Sequence, residues 1–197
     1  MDIDIDLSPI YKPEALFPQT IKASMVENGE LKKHPVGLYF QTVPIDQVTG
    51  LAAIPYKDAE SNSLFKIDMI NVNMLAEFDG IFDNKKQMRD LTKIPPDWSM
   101  LEDPEIIKNL FHIGKHADVI TKIKPRSISE LADCLSIIRP SKRHLIDKYV
   151  KDRKDQELLT ELYTKRDKSD FRRSHAVPYA LLIVIQLHLI KEGLYDI

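Results

Sequence analysis

Residues 2–7 read Asp-Ile-Asp-Ile-Asp-Leu, an acid alternating with an aliphatic side chain at strict period two. A helix would scatter these residues around its axis. A strand sends Asp2, Asp4 and Asp6 to one face and Ile3, Ile5 and Leu7 to the other. The pattern therefore dictates a strand with one carboxylate face and one apolar face. Three like charges about 7 Å apart on one face repel, and burial would raise their pKa values. A solvated sheet edge tolerates this, and so does a site that holds divalent cations, which turn the repulsion into attraction. An EF-hand loop is excluded. Counted from Asp2, its sixth position is Leu7 rather than Gly and its twelfth is Pro13 rather than Glu. What remains on the cation side is magnesium-type ligation on a sheet, as in two-metal phosphoryl transfer. Such a site asks for a third carboxylate from a neighbouring strand. Phe65-Lys-Ile-Asp-Met69 offers one, with Lys66 and Asp68 on a shared face.

Beyond these strands the period changes. Short apolar runs at 37–43 and 51–56, around the turn at Thr49-Gly50, predict a hairpin, and 64–70 predicts a further strand. From about Asn71 to Thr92 the spacing is helical. Asp103-Pro104-Glu105 predicts a capped helix over 106–113, and Ser127-Ile-Ser-Glu130 predicts a capping box before 131–138. Ser141–Arg166 predicts a long charged helix and Ala180–Lys191 an apolar one. Strands followed by helices give an α+β protein, with a β-rich part over 1–70 and a helical part over 71–197 in one unit.

Composition narrows the function classes. The 197 residues are 43% hydrophobic and 29% charged, with a formal charge of −2, which excludes a uniformly basic nucleic-acid coat. The charge is uneven, with eleven Lys and Arg against seven Asp and Glu in residues 141–175. Cys134, the single cysteine, excludes an internal disulfide framework and suits a reducing cytoplasm. An acidic start is unlike a signal peptide, and the apolar stretch 176–190 is short for a bilayer span, so a cytoplasmic protein without membrane attachment is expected. His112 and His116 lie four apart without the Glu or Cys of a zinc motif and are expected to be ordinary helix residues.

Met1-Asp-Ile-Asp-Ile-Asp-Leu7 resembles the Pro-Asp-x-Asp-x-Asp-Phe motif of bacterial C-family replicative DNA polymerases, the α subunit of DNA polymerase III. Leu64-Phe-Lys-Ile-Asp-Met-Ile70 resembles that family's segment with the third aspartate. Lys33-His34-Pro-Val-Gly37 is similar to its Lys-His-Ala-Gly-Gly segment. In the helical half, Ile137-Ile-Arg-Pro140 resembles the end of a fingers helix, and Phe171-Arg-Arg-Ser-His-Ala-Val-Pro-Tyr179 is similar to Phe-x-Lys-Ser-His-x-x-x-Tyr. The series is collinear across nearly the whole chain.

The resemblance implies a small mixed-sheet palm carrying three aspartates, followed by a helical fingers-like region. It implies that Asp4, Asp6 and Asp68 are catalytic and hold two Mg²⁺ ions, with Mn²⁺ as a substitute. It places Lys66, His34, Arg139, Lys142, Arg173, Ser174 and His175 at nucleotide or DNA phosphates. The implied partners are a primer–template, a dNTP and a second polypeptide that supplies a missing palm part, in a bacterial or phage-infected cell. The family's Gly-Ser-rich phosphate loop has no counterpart in this sequence, and residues 8–32 are too few for its thumb. A reduced or split nucleotidyltransferase is therefore expected. The alternative is a non-catalytic nucleic-acid-binding or replisome-interaction module that binds through residues 142–173.

Overall fold

In the computed structural model, residues 3–167 and 169–195 are described, so Asp2 of the acidic alternation lies outside the described residues. The chain forms two compact units, residues 1–80 and 81–197. The class is α+β, with a small mixed four-stranded sheet in the first unit.

Unit 1 contains β1 (Ile3–Leu7), α1 (Pro13–Leu16), β2 (Ile21–Glu27), β3 (Glu30–Tyr39), α2 (Tyr56–Ser61), β4 (Ile67–Asn71) and α3 (Asn73–Asp79). The sheet order is β1-β4-β3-β2. β1 and β4 run parallel, while β4–β3 and β3–β2 are antiparallel. Both period-two runs of the sequence are strands, and they are neighbours. The longest pairing is a β2–β3 hairpin closed by Asn28-Gly29, with φ of 54° and 82°. Two successive positive φ values are what a two-residue turn matching the strand twist requires, and Asn-Gly supplies them at low cost. The hairpin expected around Thr49-Gly50 is reduced to one bridge, Ile45–Ala52, held by an Asp46 side chain that accepts from Thr49 N–H at 2.8 Å. A small core of Ala23, Tyr39, Val43, Ala52 and Ala59 lies under the sheet. β1 forms an edge, and on its apolar face Ile3 and Leu7 are partly buried while Ile5 is 36% exposed.

Unit 2 is helical: α4 (Lys85–Leu91), α5 (Pro104–Ile107), α6 (Ala117–Ile123), α7 (Ile128–Ile137), α8 (Ile146–Lys151), α9 (Gln156–Tyr163) and α10 (Arg173–Lys191), with 3₁₀ turns at Trp98–Glu102 and Arg143–Leu145. Its core joins Ile107, Ile120, Leu131, Leu135 and Tyr149 to Ile183 of α10. The single helical stretch expected over 71–92 is broken into α3 and α4. Asn84 begins α4 by accepting from Lys86 and Gln87 N–H, so a capping side chain interrupts the period. The long helix expected over 141–166 is divided too, because Asp155 turns its carboxylate onto the N–H groups of Glu157 and Leu158 and starts α9. The helix expected over 106–113 is only α5, after which His112 adopts a left-handed φ of 59°. The capping box at 127 holds in shifted form: Ser127 Oγ accepts from Glu130 N–H, while Glu130 accepts from Arg126 N–H.

α10 starts earlier than expected and runs through Pro178 for 19 residues. By length and composition it could cross a bilayer. In this fold, Ala180, Ile183, Val184 and Leu187 are buried in the helical core.

Candidate functional site

β4 inserts between β1 and β3, and this brings the predicted residues of unit 1 together. Asp4 and Asp68 are register partners on adjacent parallel strands, a separation of about 4.8 Å between backbones. Parallel partners project to the same face, so the two carboxylates share it. Asp6 is one step along that face, opposite Ile70. On the other side of β4, the residue opposite Asp68 is Gly37.

A Cβ on Gly37 would sit 2.8 Å from His34 Nδ1, 2.8 Å from Lys66 Cδ and 3.0 Å from Ala23 Cβ. The glycine leaves the space through which Lys66 and His34 approach Asp68. Lys66 Nζ donates to Asp68 Oδ2 at 2.5 Å, with both side chains more than four-fifths buried. His34 Nδ1 accepts from Gly37 N–H at 3.0 Å and is 3.9 Å from Asp68 Oδ1. Burial, and after it the Lys66 charge, hold the His34 pKa below its ordinary value. The ring is therefore neutral at pH 7 and its proton is on Nε2.

Asp68 Oδ1 is buried and has no hydrogen-bond donor. Lys66 satisfies the other oxygen, and His34 presents a lone pair to the Gly37 N–H. Among the described residues no group of three or more His, Cys, Asp and Glu could hold a metal ion. Magnesium does not need such a cage, since it is commonly held by one or two carboxylates with water and substrate phosphates. The Asp4–Asp68 pair, with one anionic oxygen unsatisfied, fits that mode. Tyr56 completes the surroundings and was missed by sequence reasoning. Its ring meets His34 edge-on at 5.0 Å, and its centroid is 5.3 Å from Lys66 Nζ. Its one signal in the sequence is a Pro-Tyr pair after an apolar run, which says nothing of a site.

In unit 2 the predicted residues separate. Arg139 follows α7 and stacks its guanidinium 3.7 Å over the Phe171 ring. Its Nε and Nη2 are buried without a hydrogen-bond acceptor, and burial lowers its pKa. Those two nitrogens form the parallel fork that grips an oxyanion. Lys142 is different: it is 1% exposed and donates to the carbonyls of Glu161 and Thr164 at 2.6 and 2.7 Å, 4.0 Å from Asp170. It ties α9 and the following turn to the end of α7 and presents no ammonium at the surface. Arg173 opens α10 and donates to Ser129 Oγ at 2.9 Å, near Asp133. Ser174 is exposed and His175 half-buried, its ring 6.3 Å from Phe171. His112, itself in a turn and not in a helix, stacks on Tyr179 of α10 at 4.8 Å beside the same phenylalanine. Desolvation of the ring, then the nearby Arg139 charge, push its pKa down to about 4.

The basic stretch is largely paired internally. Lys148 meets Asp155, Arg153 meets Glu130, Arg166 meets Glu161 and Arg143 meets Asp118. Comparison with known protein families and with curated proteins finds no match to this chain.

Proposed function

We propose that the chain is a DNA polymerase-type nucleotidyltransferase, in reduced or split form, that joins a deoxynucleotide to a primer 3′-hydroxyl. The observation that carries this is the Asp4–Asp68 pair on adjacent strands, with Asp68 Oδ1 buried and unsatisfied. Asp4, Asp6 and Asp68 would hold Mg²⁺ or Mn²⁺. Cations there supply Lewis-acid stabilisation of the attacking and leaving oxygens. Lys66 neutralises phosphate charge beside Asp68, and Gly37 keeps room for it. Neutral His34 leaves the acidic face its negative charge. In unit 2 the Arg139 fork, and separately Arg173, Ser174 and His175 at the start of α10, offer donors for phosphates of nucleotide or DNA. Lys142 is left out of this set because its charge is used inside the fold. The setting is the cytoplasm of a bacterial or phage-infected cell, with a second polypeptide as a partner in the split form.

The non-catalytic alternative, binding through residues 142–173, draws less support. Arg143, Lys148, Arg153 and Arg166 are already matched by carboxylates, which weakens the counterion release that drives such binding. Asp4→Asn and Asp68→Asn test the main reading. Each should abolish nucleotide transfer to a primer while leaving circular dichroism unchanged. Transfer that survives either substitution contradicts it.

A further inference from the structure

A cavity of about 320 Å³ opens between β2, β3 and the start of α2, walled by Met25, Val26, His34, Pro55, Tyr56, Lys57 and Asp58. This volume is at the small end for ligand pockets and suits one flat ring system. The walls offer an apolar and aromatic surface from Met25, Val26, Pro55 and Tyr56. His34 and Asp58 add a donor and an acceptor. His34 already accepts at Nδ1 from Gly37, so Nε2–H is the donor that it has left to offer. The cavity adjoins charge: His34 Nδ1 is 3.9 Å from Asp68 Oδ1, and the Tyr56 ring lies 5.3 Å from Lys66 Nζ. A ligand that fills it and continues toward Lys66 is flat and ring-shaped at one end and anionic at the other.

We propose that this cavity is a nucleobase subsite, in which the base stacks on Tyr56 and meets His34 Nε2–H while the sugar and α-phosphate lead to Lys66. It rests on reading the Lys66–Asp68 region as a nucleotide site. Stacking against an aromatic ring tolerates any base, as addition directed by a template requires.

The test uses the full chain and two probes, deoxyadenosine in metal-free buffer and dATP with Mg²⁺. Deoxyadenosine should shift the His34 imidazole and Tyr56 ring resonances without any metal ion, since the base does not need the carboxylates. Val26→Trp, made at a residue 56% exposed, fills the cavity from the surface. It should abolish those shifts and weaken dATP about tenfold, the effect of losing one base–aromatic stack. Tyr56→Leu keeps an apolar wall without the ring and should weaken dATP similarly. Resonances that do not move at millimolar deoxyadenosine, or dATP binding unchanged in both variants, overturn the proposal. Deoxyadenosine binding without nucleotide transfer would uphold the subsite and defeat the transferase reading. Transfer by both variants at wild-type dATP affinity would defeat the subsite alone.

Discussion

At the residue scale, the account rests on Asp68 and the small space around it. Gly37 lies opposite, and any side chain there collides with Lys66 and His34. Gly37→Ala is expected to destabilise the fold by about 1–3 kcal/mol, the usual range for overpacking, and to displace Lys66 from Asp68. Urea denaturation measures the first effect; a shift in the Lys66 ammonium resonance reports the second. His112 gives a prediction with a defined sign. Its folded pKa of about 4 lies below the unfolded value of about 6.5, so the unfolded chain binds the proton first. Its contribution to stability is complete above pH 6.5 and is lost as the pH falls toward 4. The denaturation midpoint of the wild type should therefore drop more steeply over that window than that of His112→Gln. Parallel slopes would refute the assignment.

At the element scale, side-chain caps decide where helices begin, and Asp155 is the plainest case. Asp155→Ala removes the cap that starts α9 and should cost about 0.5–2 kcal/mol, read by thermal melting with the core intact. That cap also shows where the sequence was legible and where it was not. Period-two alternation identified β1 and β4, because a half-buried strand leaves a mark at every residue. The Ser127 cap marked α7, which starts three residues before the expected run 131–138 and ends one residue before its end. The charged stretch 141–166 carried a helical period on both sides of Asp155, so the period hid the break. Asn28-Gly29 closes the longest hairpin, whereas the apolar runs of the sequence pointed to a hairpin around Thr49-Gly50. The site followed the same logic. Asp4, Asp68 and Lys66 were readable as strand residues, His34 was pointed to only by the resemblance, and the fold brings them to one place. Tyr56 was invisible because its role depends on α2 folding back onto β2 and β3. The burial of Lys142 was hidden for a similar reason: nothing in a run of basic residues says which one turns inward.

At the scale of the whole molecule, charge divides two roles that the sequence had merged. The positive balance of residues 141–175 suggested a binding surface, but most of that charge closes ion pairs within unit 2. Arg139, which precedes that stretch, is a desolvated guanidinium with an unpartnered fork. Charge reversal at Lys148 and Arg166, both already paired with carboxylates, should change the affinity for a primer–template less than about threefold, because exposed pairs contribute little. Arg139→Met, which retains the stacked bulk on Phe171, should weaken triphosphate binding by about tenfold or more, in keeping with a charge-assisted pair. Titration of both variants with DNA and with dATP separates the two roles.

The most direct measurement of the central claim is extension of a labelled primer–template by the purified chain, with each dNTP supplied alone in Mg²⁺ and then in Mn²⁺. Addition of only the nucleotide that matches the template, lost in Asp4→Asn, is the predicted result. If the chain binds the primer–template and adds nothing with either cation, the claim that its acidic sheet face transfers nucleotides is contradicted for this chain on its own.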